Sequence, residues 1–89
     1  MIAIVNGRIL EKYPDSLIIT VGGVGLQIFV PGPLREQVHL GDEIFLHTYL
    51  VVRQDLLSLY GFESREEREL FLLLLGVDGI GPKSALGIL

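Results

Sequence analysis

The sequence has 89 residues, a formal net charge of −4 at pH 7, hydrophobic residues at 49% of its positions and no cysteine. Its length allows one small domain, or one domain and the beginning of another. The lack of cysteine excludes disulfides and thiolate metal sites, and it fits a reducing compartment. The apolar excess has two explanations: a leucine-rich core, or apolar surface that another subunit or further chain covers.

The distribution of charge gives no sign of a nucleic-acid partner. Residues 1–62 carry four basic and six acidic side chains, and residues 63–89 carry three basic and five acidic ones. Each part therefore has a net charge of −2, no basic block stands out, and charge alone argues against DNA binding.

No segment of the sequence predicts a membrane span. The apolar run LFLLLL at 70–75 is far shorter than the roughly 20 residues that a spanning helix needs. The N-terminal stretch MIAIVNGRIL lacks the basic region of a signal peptide. We therefore expect a cytoplasmic protein that does not enter a membrane.

Five short segments between residues 1 and 62 predict β-strands, because they are rich in β-branched and aromatic residues and are separated by turn residues. In chain order they read IAIVNGRIL, SLIITV, GLQIFV, EIFLHTYLVV and LLSLYGF. Their number and spacing predict a small closed barrel. GGVG at 22–25 lies between two strands and predicts a turn or a bulge. PGPLREQVHLGD, with its two prolines, allows at most one helical turn.

At Ser64 the pattern changes from strand to helix. SREE predicts a capping box, with Ser64 at the N-cap and a glutamate three residues on. Gly76 is expected to end this helix, and Pro82 suits the first position of a second one. The predicted organisation is a barrel over residues 1–62, then helix, hairpin and helix over residues 63–89. Three apolar residues share one face of the first helix: Phe71, Leu74 and Leu75.

The stretch VDGIGPKSALGIL at 77–89 predicts an anion site. Gly79 and Gly81 favour a tight hairpin that lets a ligand approach the backbone closely. The N-terminus of the following helix and the cation of Lys83 both attract an anion, and a phosphate fits best. The alternative is a plain connector between two helices, in which glycine also serves as a cap.

No cofactor, metal or catalytic role is expected. Residues 76–81 have the glycine spacing of a P-loop, but Pro82 intervenes before Lys83 and removes an N–H group that a phosphate nest needs. GGVG opens no helix, so it is no dinucleotide fingerprint. His39 and His47 lack the spacing of metal ligands. No Ser-His-Asp set or spaced carboxylate pair can be assigned.

Three longer stretches occur together along the chain: VGGVGLQIFVP, HTYLVVRQDLLSLYGF and LFLLLLGVDGIGPKSALGIL. They resemble, in the same order, the third-strand region, the pin hairpin with the fifth strand, and the first helix-hairpin-helix motif of the RuvA family. This family comprises the Holliday junction-binding subunits of the bacterial RuvAB branch-migration complex. The resemblance covers all 89 residues. Its combination of motifs is specific, whereas GIGPK alone recurs in many DNA-binding proteins.

The resemblance implies a five-stranded OB-fold followed by the start of a helix-hairpin-helix domain. Family members add a second hairpin and a mobile C-terminal domain that binds the ATP-driven motor RuvB. Neither has residues in this sequence, so the resemblance implies that the chain is part of something longer. Four subunits form a disc that holds the arms of a four-way junction, and two tetramers can enclose it as an octamer. The resolvase RuvC can share that junction.

Carried over by position, Gly79, Ile80, Gly81 and Lys83 form the first phosphate-binding hairpin. Such hairpins grip backbone phosphates and read no bases. Ile80 is expected to pack its side chain inward. Gly81 is expected to hold a backbone conformation that a β-branched residue tolerates poorly. The acidic total is compatible with this function, because a DNA-binding face needs local positive charge.

The loop between the fourth and fifth strands is the second site that the resemblance implies. Family members usually place two adjacent acids there, which repel DNA at the crossover. This chain has Gln54 and Asp55, so Asp55 carries the role over and Gln54 departs from the pattern. From the residues alone, an ordinary polar hairpin turn also favours Asp.

The function that follows is a non-catalytic scaffold that recognises Holliday junctions and supports branch migration in recombination and repair. Two other classes stay open. One is a protein-interaction OB module whose hairpin is only a connector. The other is a DNA-docking fragment of a nuclease or ligase. A scaffold prefers four-way DNA to duplex and cuts neither, whereas a protein module ignores both.

Overall fold

Five strands and three helices make up residues 1–89, all of which are described by the computed structural model. No helix is long and apolar enough to cross a membrane. The strands are β1 (Ile4–Lys12), β2 (Ser16–Val21), β3 (Val24–Phe29), β4 (Glu43–Arg53) and β5 (Leu56–Phe62). The helices are α1 (Gly32–Gln37), α2 (Arg65–Leu75) and α3 (Pro82–Ile88).

The strands close into a barrel in the order β1-β2-β3-β5-β4. Four of the five neighbouring pairs are antiparallel, and β4 returns to β1. The parallel pair of β3 with β5 closes the barrel through Ile28 opposite Leu59 and Phe29 opposite Tyr60. This topology confirms the predicted five-stranded barrel of OB type.

The barrel encloses the larger of two apolar cores. Since side chains alternate along a strand, one face of each strand points inward. α1 adds Leu34 to the same core. The buried members are Val5, Ile9, Leu17, Ile19, Ile28, Val30, Leu34, Leu46 and Leu59.

Local departures from the predicted elements have simple causes. α1 has six residues, more than the single turn expected. Pro31 lies at its N-cap and Pro33 in its first turn, where no N–H group is needed. β1 runs beyond its predicted end at residue 10, through a register shift between Ile9 and Glu11. GGVG contains the predicted turn, because its first two glycines have positive φ between β2 and β3.

A second core joins the helices to the outer face of β4 and β5. Phe71 of α2 is fully buried there. Its ring centroid lies 4.9 Å from that of Phe62 and 5.2 Å from that of Tyr60. α3 contributes Ala85 and Leu86 to the same core.

The ends of α2 follow the sequence closely. The Ser64 hydroxyl oxygen accepts a hydrogen bond from the N–H of Glu67 at 3.1 Å, which confirms the predicted N-cap. Gly76 ends the helix as predicted: its N–H donates to the carbonyl of Leu73, and the N–H of Val77 donates to the carbonyl of Leu74. Its φ is −78°, so this cap does not use the left-handed conformation that favours glycine.

Gly61 of β5 fills a place in the barrel that has no room for a side chain. A Cβ there would lie 2.8 Å from Cγ2 of Ile28 and 3.0 Å from Cδ1 of Leu46. We predict that Gly61→Ala lowers the free energy of unfolding by about 1–3 kcal/mol, because packed cores resist added methyl groups. Urea denaturation measures this loss. Gly25→Ala is the matched control, since its Cβ would meet Ile18 at an ordinary 3.5 Å; an equal loss there would contradict the prediction.

Candidate nucleic-acid interface

The hairpin between α2 and α3 contains one glycine in the left-handed conformation. Gly79 has a φ of +85°. Gly81, the N-cap of α3, has a φ of −89° and a ψ of 176°, which is extended backbone. No heavy atom outside its neighbours lies within 4 Å of the place of its Cβ. The expectation that Gly81 resists a β-branched residue through its backbone is therefore wrong, and that constraint belongs to Gly79.

Ile80 turns its side chain inward, as expected, and packs against the core between the helices and the barrel. Its N–H donates to the carbonyl of Val77 at 3.1 Å, which closes the hairpin. α3 then begins at Pro82, the predicted first helical position. The side chain and the turn together fix the path of the backbone from residue 77 to residue 82.

Lys83 reaches back from α3 to the barrel. Its Nζ lies 3.2 Å from the centroid of the Phe29 ring and 5.9 Å from that of Tyr60. The same Nζ lies 3.5 Å from Oδ2 of Asp15, and both side chains keep 58% of their surface exposed. The cation is thus held by a ring and a carboxylate, yet solvent still reaches it.

Asp15 is itself held in place by neighbouring side chains. The Ser16 hydroxyl donates to Oδ1 of Asp15 at 3.0 Å. Nε2 of Gln27 donates to the oxygen of that hydroxyl, also at 3.0 Å. Ser16 is fully buried, so this link is anchored in the barrel. One oxygen of the carboxylate is therefore fixed, and the other is directed to Lys83.

The Tyr60 ring completes this group. Burial raises the pKa of Tyr60 above its usual value, the negative charge of Asp15 also raises it, and the positive charge of Arg53 lowers it. Tyr60 therefore stays neutral at physiological pH. We call the group of Asp15, Phe29, Tyr60 and Lys83 the barrel–helix joint. Its barrel members were not among the predicted site residues.

The predicted pin is the turn between β4 and β5. The strands pair as far as Arg53 opposite Leu56, which leaves Gln54 and Asp55 as a two-residue turn. Both are exposed. No hydrogen bond or ion pair within the chain joins them to the hairpin at 79–83. The predicted site residues thus form two separate groups, the pin turn and the hairpin at 79–83.

The sides of the pin are apolar. Val52 and Leu57 face each other across the strands and are 65% and 68% exposed. Leu56, beside the turn, is 55% exposed. An exposed carboxylate therefore stands at the tip of a hairpin whose exposed side chains are mostly apolar, with the cation of Arg53 beside the turn.

The two histidines lie in unrelated environments. Nδ1 of His39 is 3.7 Å from Oδ2 of Asp42, whose same oxygen accepts the backbone N–H of His39 at 2.9 Å. His47 packs edge-on against Phe45, with 5.4 Å between the ring centroids. Each side chain therefore has a local structural contact.

These observations define the chain as an OB-fold protein with two hairpin-linked helices packed on its barrel. The family described as RuvA N terminal domain matches residues 1–61. Over all 89 residues the chain is 48% identical to the Holliday junction branch migration complex subunit RuvA of Staphylococcus aureus (strain Newman). It is 47% identical to the protein of the same name from strain JH9. The chain belongs to the RuvA family, and it spans 44% of the length of each of these relatives.

The two glycines of the hairpin should respond differently to alanine. Gly79→Ala forces a side chain into the left-handed region and should lower the free energy of unfolding by about 1–2 kcal/mol. Gly81→Ala should cost less than about 1 kcal/mol, because its backbone is extended and the change removes only the preference of glycine for the N-cap. Urea denaturation of both variants measures the difference. Equal losses would show that φ does not distinguish the two positions.

Proposed function

We propose that this chain is the DNA-binding part of a non-catalytic scaffold that recognises four-way junctions and supports branch migration. The observation that carries the proposal is the similarity to branch migration subunits over the whole chain, hairpin included. The proposal extends to the division into an OB barrel over 1–62 and the first helix-hairpin-helix motif over 63–89. The similarity over the whole chain argues against the protein-interaction module and the nuclease fragment, because neither accounts for it.

In this proposal the α2–α3 hairpin contacts a backbone phosphate. Three features support it. Gly79 makes the sharp turn, Gly81 leaves open space beside the backbone, and Lys83 supplies a solvent-reachable cation. Ile80 has a supporting role, because it anchors the hairpin in the second core. Such a contact positions DNA without reading its sequence.

The proposed pin acts by charge at the centre of the junction. The Asp55 carboxylate is exposed at the turn and has no cation within ion-pair distance. A phosphate that approaches the tip therefore meets a negative charge that no ion pair within the chain neutralises. Gln54 halves the charge that an acidic pair would supply.

We further propose that the protein works as a tetramer, or as an octamer that encloses the junction, in the cytoplasm. Exposed apolar side chains along α2 and just after it support contacts with further protein: Leu70, Leu73 and Val77. Partners would be the RuvB motor, bound through a C-terminal domain of the longer protein, and the RuvC resolvase. No cofactor is proposed.

Lys83→Ala tests the phosphate contact. It should weaken binding to all DNA sequences alike and lower the slope of log affinity against log salt by roughly 0.9 for each phosphate that is no longer neutralised. Fluorescence anisotropy with a labelled four-way junction at several salt concentrations measures both. Lys12→Ala is the control, because its Nζ donates to the carbonyl of Val38 at the end of α1 and to no residue of the hairpin. An unchanged affinity and slope for Lys83→Ala would make the hairpin a connector between helices.

Gln54→Glu tests the pin. The added charge should weaken junction binding at low salt, and the difference should close as salt rises, because exposed charges are screened over about 8–10 Å. Asp55→Asn should strengthen binding and reduce the preference for a junction over a duplex. Gln37→Glu, at the end of α1, is the matched control. If neither pin variant changes junction or duplex affinity, Asp55 is only a turn residue.

A further inference from the structure

The cation of Lys83 already has an anionic partner within the chain. Its Nζ is 3.5 Å from Oδ2 of Asp15 and 3.2 Å from the Phe29 ring centroid. An ammonium over the face of an aromatic ring is attracted by the ring quadrupole. The ring therefore keeps the cation at this place, and the carboxylate partly neutralises its positive charge.

The carboxylate is ordered in advance for this contact. Exposed ion pairs are usually weak, partly because two mobile side chains must be fixed in one geometry. Here Oδ1 of Asp15 accepts from the buried Ser16 hydroxyl, which in turn accepts from Gln27. The cost of fixing the acid is therefore already met by bonds within the barrel.

We infer that Asp15 competes with the DNA phosphate for the Lys83 ammonium, and so sets the affinity of the hairpin for DNA. The inference rests on the proposed function, because it assumes that Lys83 contacts phosphate. A phosphodiester brings one negative charge to a cation that one carboxylate already faces. Phe29 holds the ammonium at the joint throughout, so the exchange replaces the anion and leaves the lysine where it is.

The size of the effect follows from exposure. Both partners keep 58% of their side-chain surface in solvent, so water screens the pair. Surface pairs of this kind couple weakly, which corresponds to about a twofold to fivefold change in affinity for each contacting subunit. An assembly that uses several hairpins at once multiplies this factor.

Asp15→Asn is the direct test. The amide keeps an oxygen for the Ser16 hydroxyl and loses the negative charge, so the turn is retained. Asp78→Asn is the matched control, because Asp78 lies exposed in the α2–α3 hairpin and forms no ion pair. It reports the general gain from removing one acid near DNA. Thermal unfolding of each variant checks that the fold is kept.

The measurement is a double-mutant cycle with a 20-base-pair duplex and a four-way junction as probes, by anisotropy at low salt. We expect Asp15→Asn to tighten both complexes more than Asp78→Asn does, by about twofold to fivefold. In a Lys83→Met background the two acid variants should have equal effects, because methionine keeps the packing on Phe29 without the charge. Equal effects of Asp15→Asn and Asp78→Asn in the protein that keeps Lys83 would overturn the inference.

A second measurement needs no DNA. Protons on the ε-carbon of Lys83 should resonate upfield of their usual position, because the adjoining Nζ lies 3.2 Å from the Phe29 ring centroid, and Phe29→Leu should abolish this shift. Unshifted protons in the unmodified protein would overturn the inference. If the unmodified protein shows the shift but binds neither probe, the proposed function fails and the inference falls with it. If the unmodified protein binds both probes but Asp15→Asn and Asp78→Asn change the affinity equally, only the inference fails.

Discussion

The burial of Phe71 against the outer face of the barrel is the contact on which the rest of the structure depends. Its ring is fully buried and packs on Tyr60 and Phe62, with Tyr49 edge-on at 6.4 Å. Burying an aromatic ring of this size stabilises by about 1.5–3 kcal/mol, and ring–ring geometry adds to that. Without this contact α2 is held by its cap, its leucines and the hydrogen bond that Nη1 of Arg68 donates to the carbonyl of Ala3 at 3.2 Å. With it, α3 docks beside α2, and the hairpin between them takes a fixed place on the barrel.

Strand β5 links the two cores, because its alternate faces serve different purposes. Leu59 points into the barrel, whereas Tyr60 and Phe62 point to the helices. Tyr60 also lies 5.4 Å from Phe29, whose ring receives Lys83. Phe71, Tyr60 and Phe29 therefore form a row of packed rings between α2 and the ammonium of Lys83. The same strand begins at the pin, so β5 positions both candidate sites.

The sequence predicts this fold well wherever a local rule decides. The strands SLIITV and LLSLYGF have their predicted bounds, and Ser64 caps α2, because alternation and cap chemistry act over a few residues. The residues themselves indicated an anion site at Gly79, Gly81 and Lys83, and the family resemblance added Ile80 and the pin. Backbone conformation was harder, since both hairpin glycines look alike in sequence and only Gly79 has a positive φ. The partners of Lys83 could not be predicted. Asp15 and Phe29 contact Lys83 only because β3 pairs with β5 and α3 packs on the barrel, and no sequence spacing indicates these contacts.

The partnered lysine also bears on how an acidic chain can serve a DNA scaffold. The net charge is −4, and the cation of the hairpin faces a fixed carboxylate, so a single hairpin gains little from bulk attraction. Affinity in the proposed scaffold then comes from several hairpins that engage several phosphates of one DNA at once, since linked contacts combine through effective concentration. In that proposal, a four-way junction that engages several hairpins together is bound more tightly than a duplex that engages few. On the proposals made above, the two acids act differently: Asp15 lowers the affinity of the hairpin for any DNA, whereas Asp55 acts on DNA that reaches the tip of the pin.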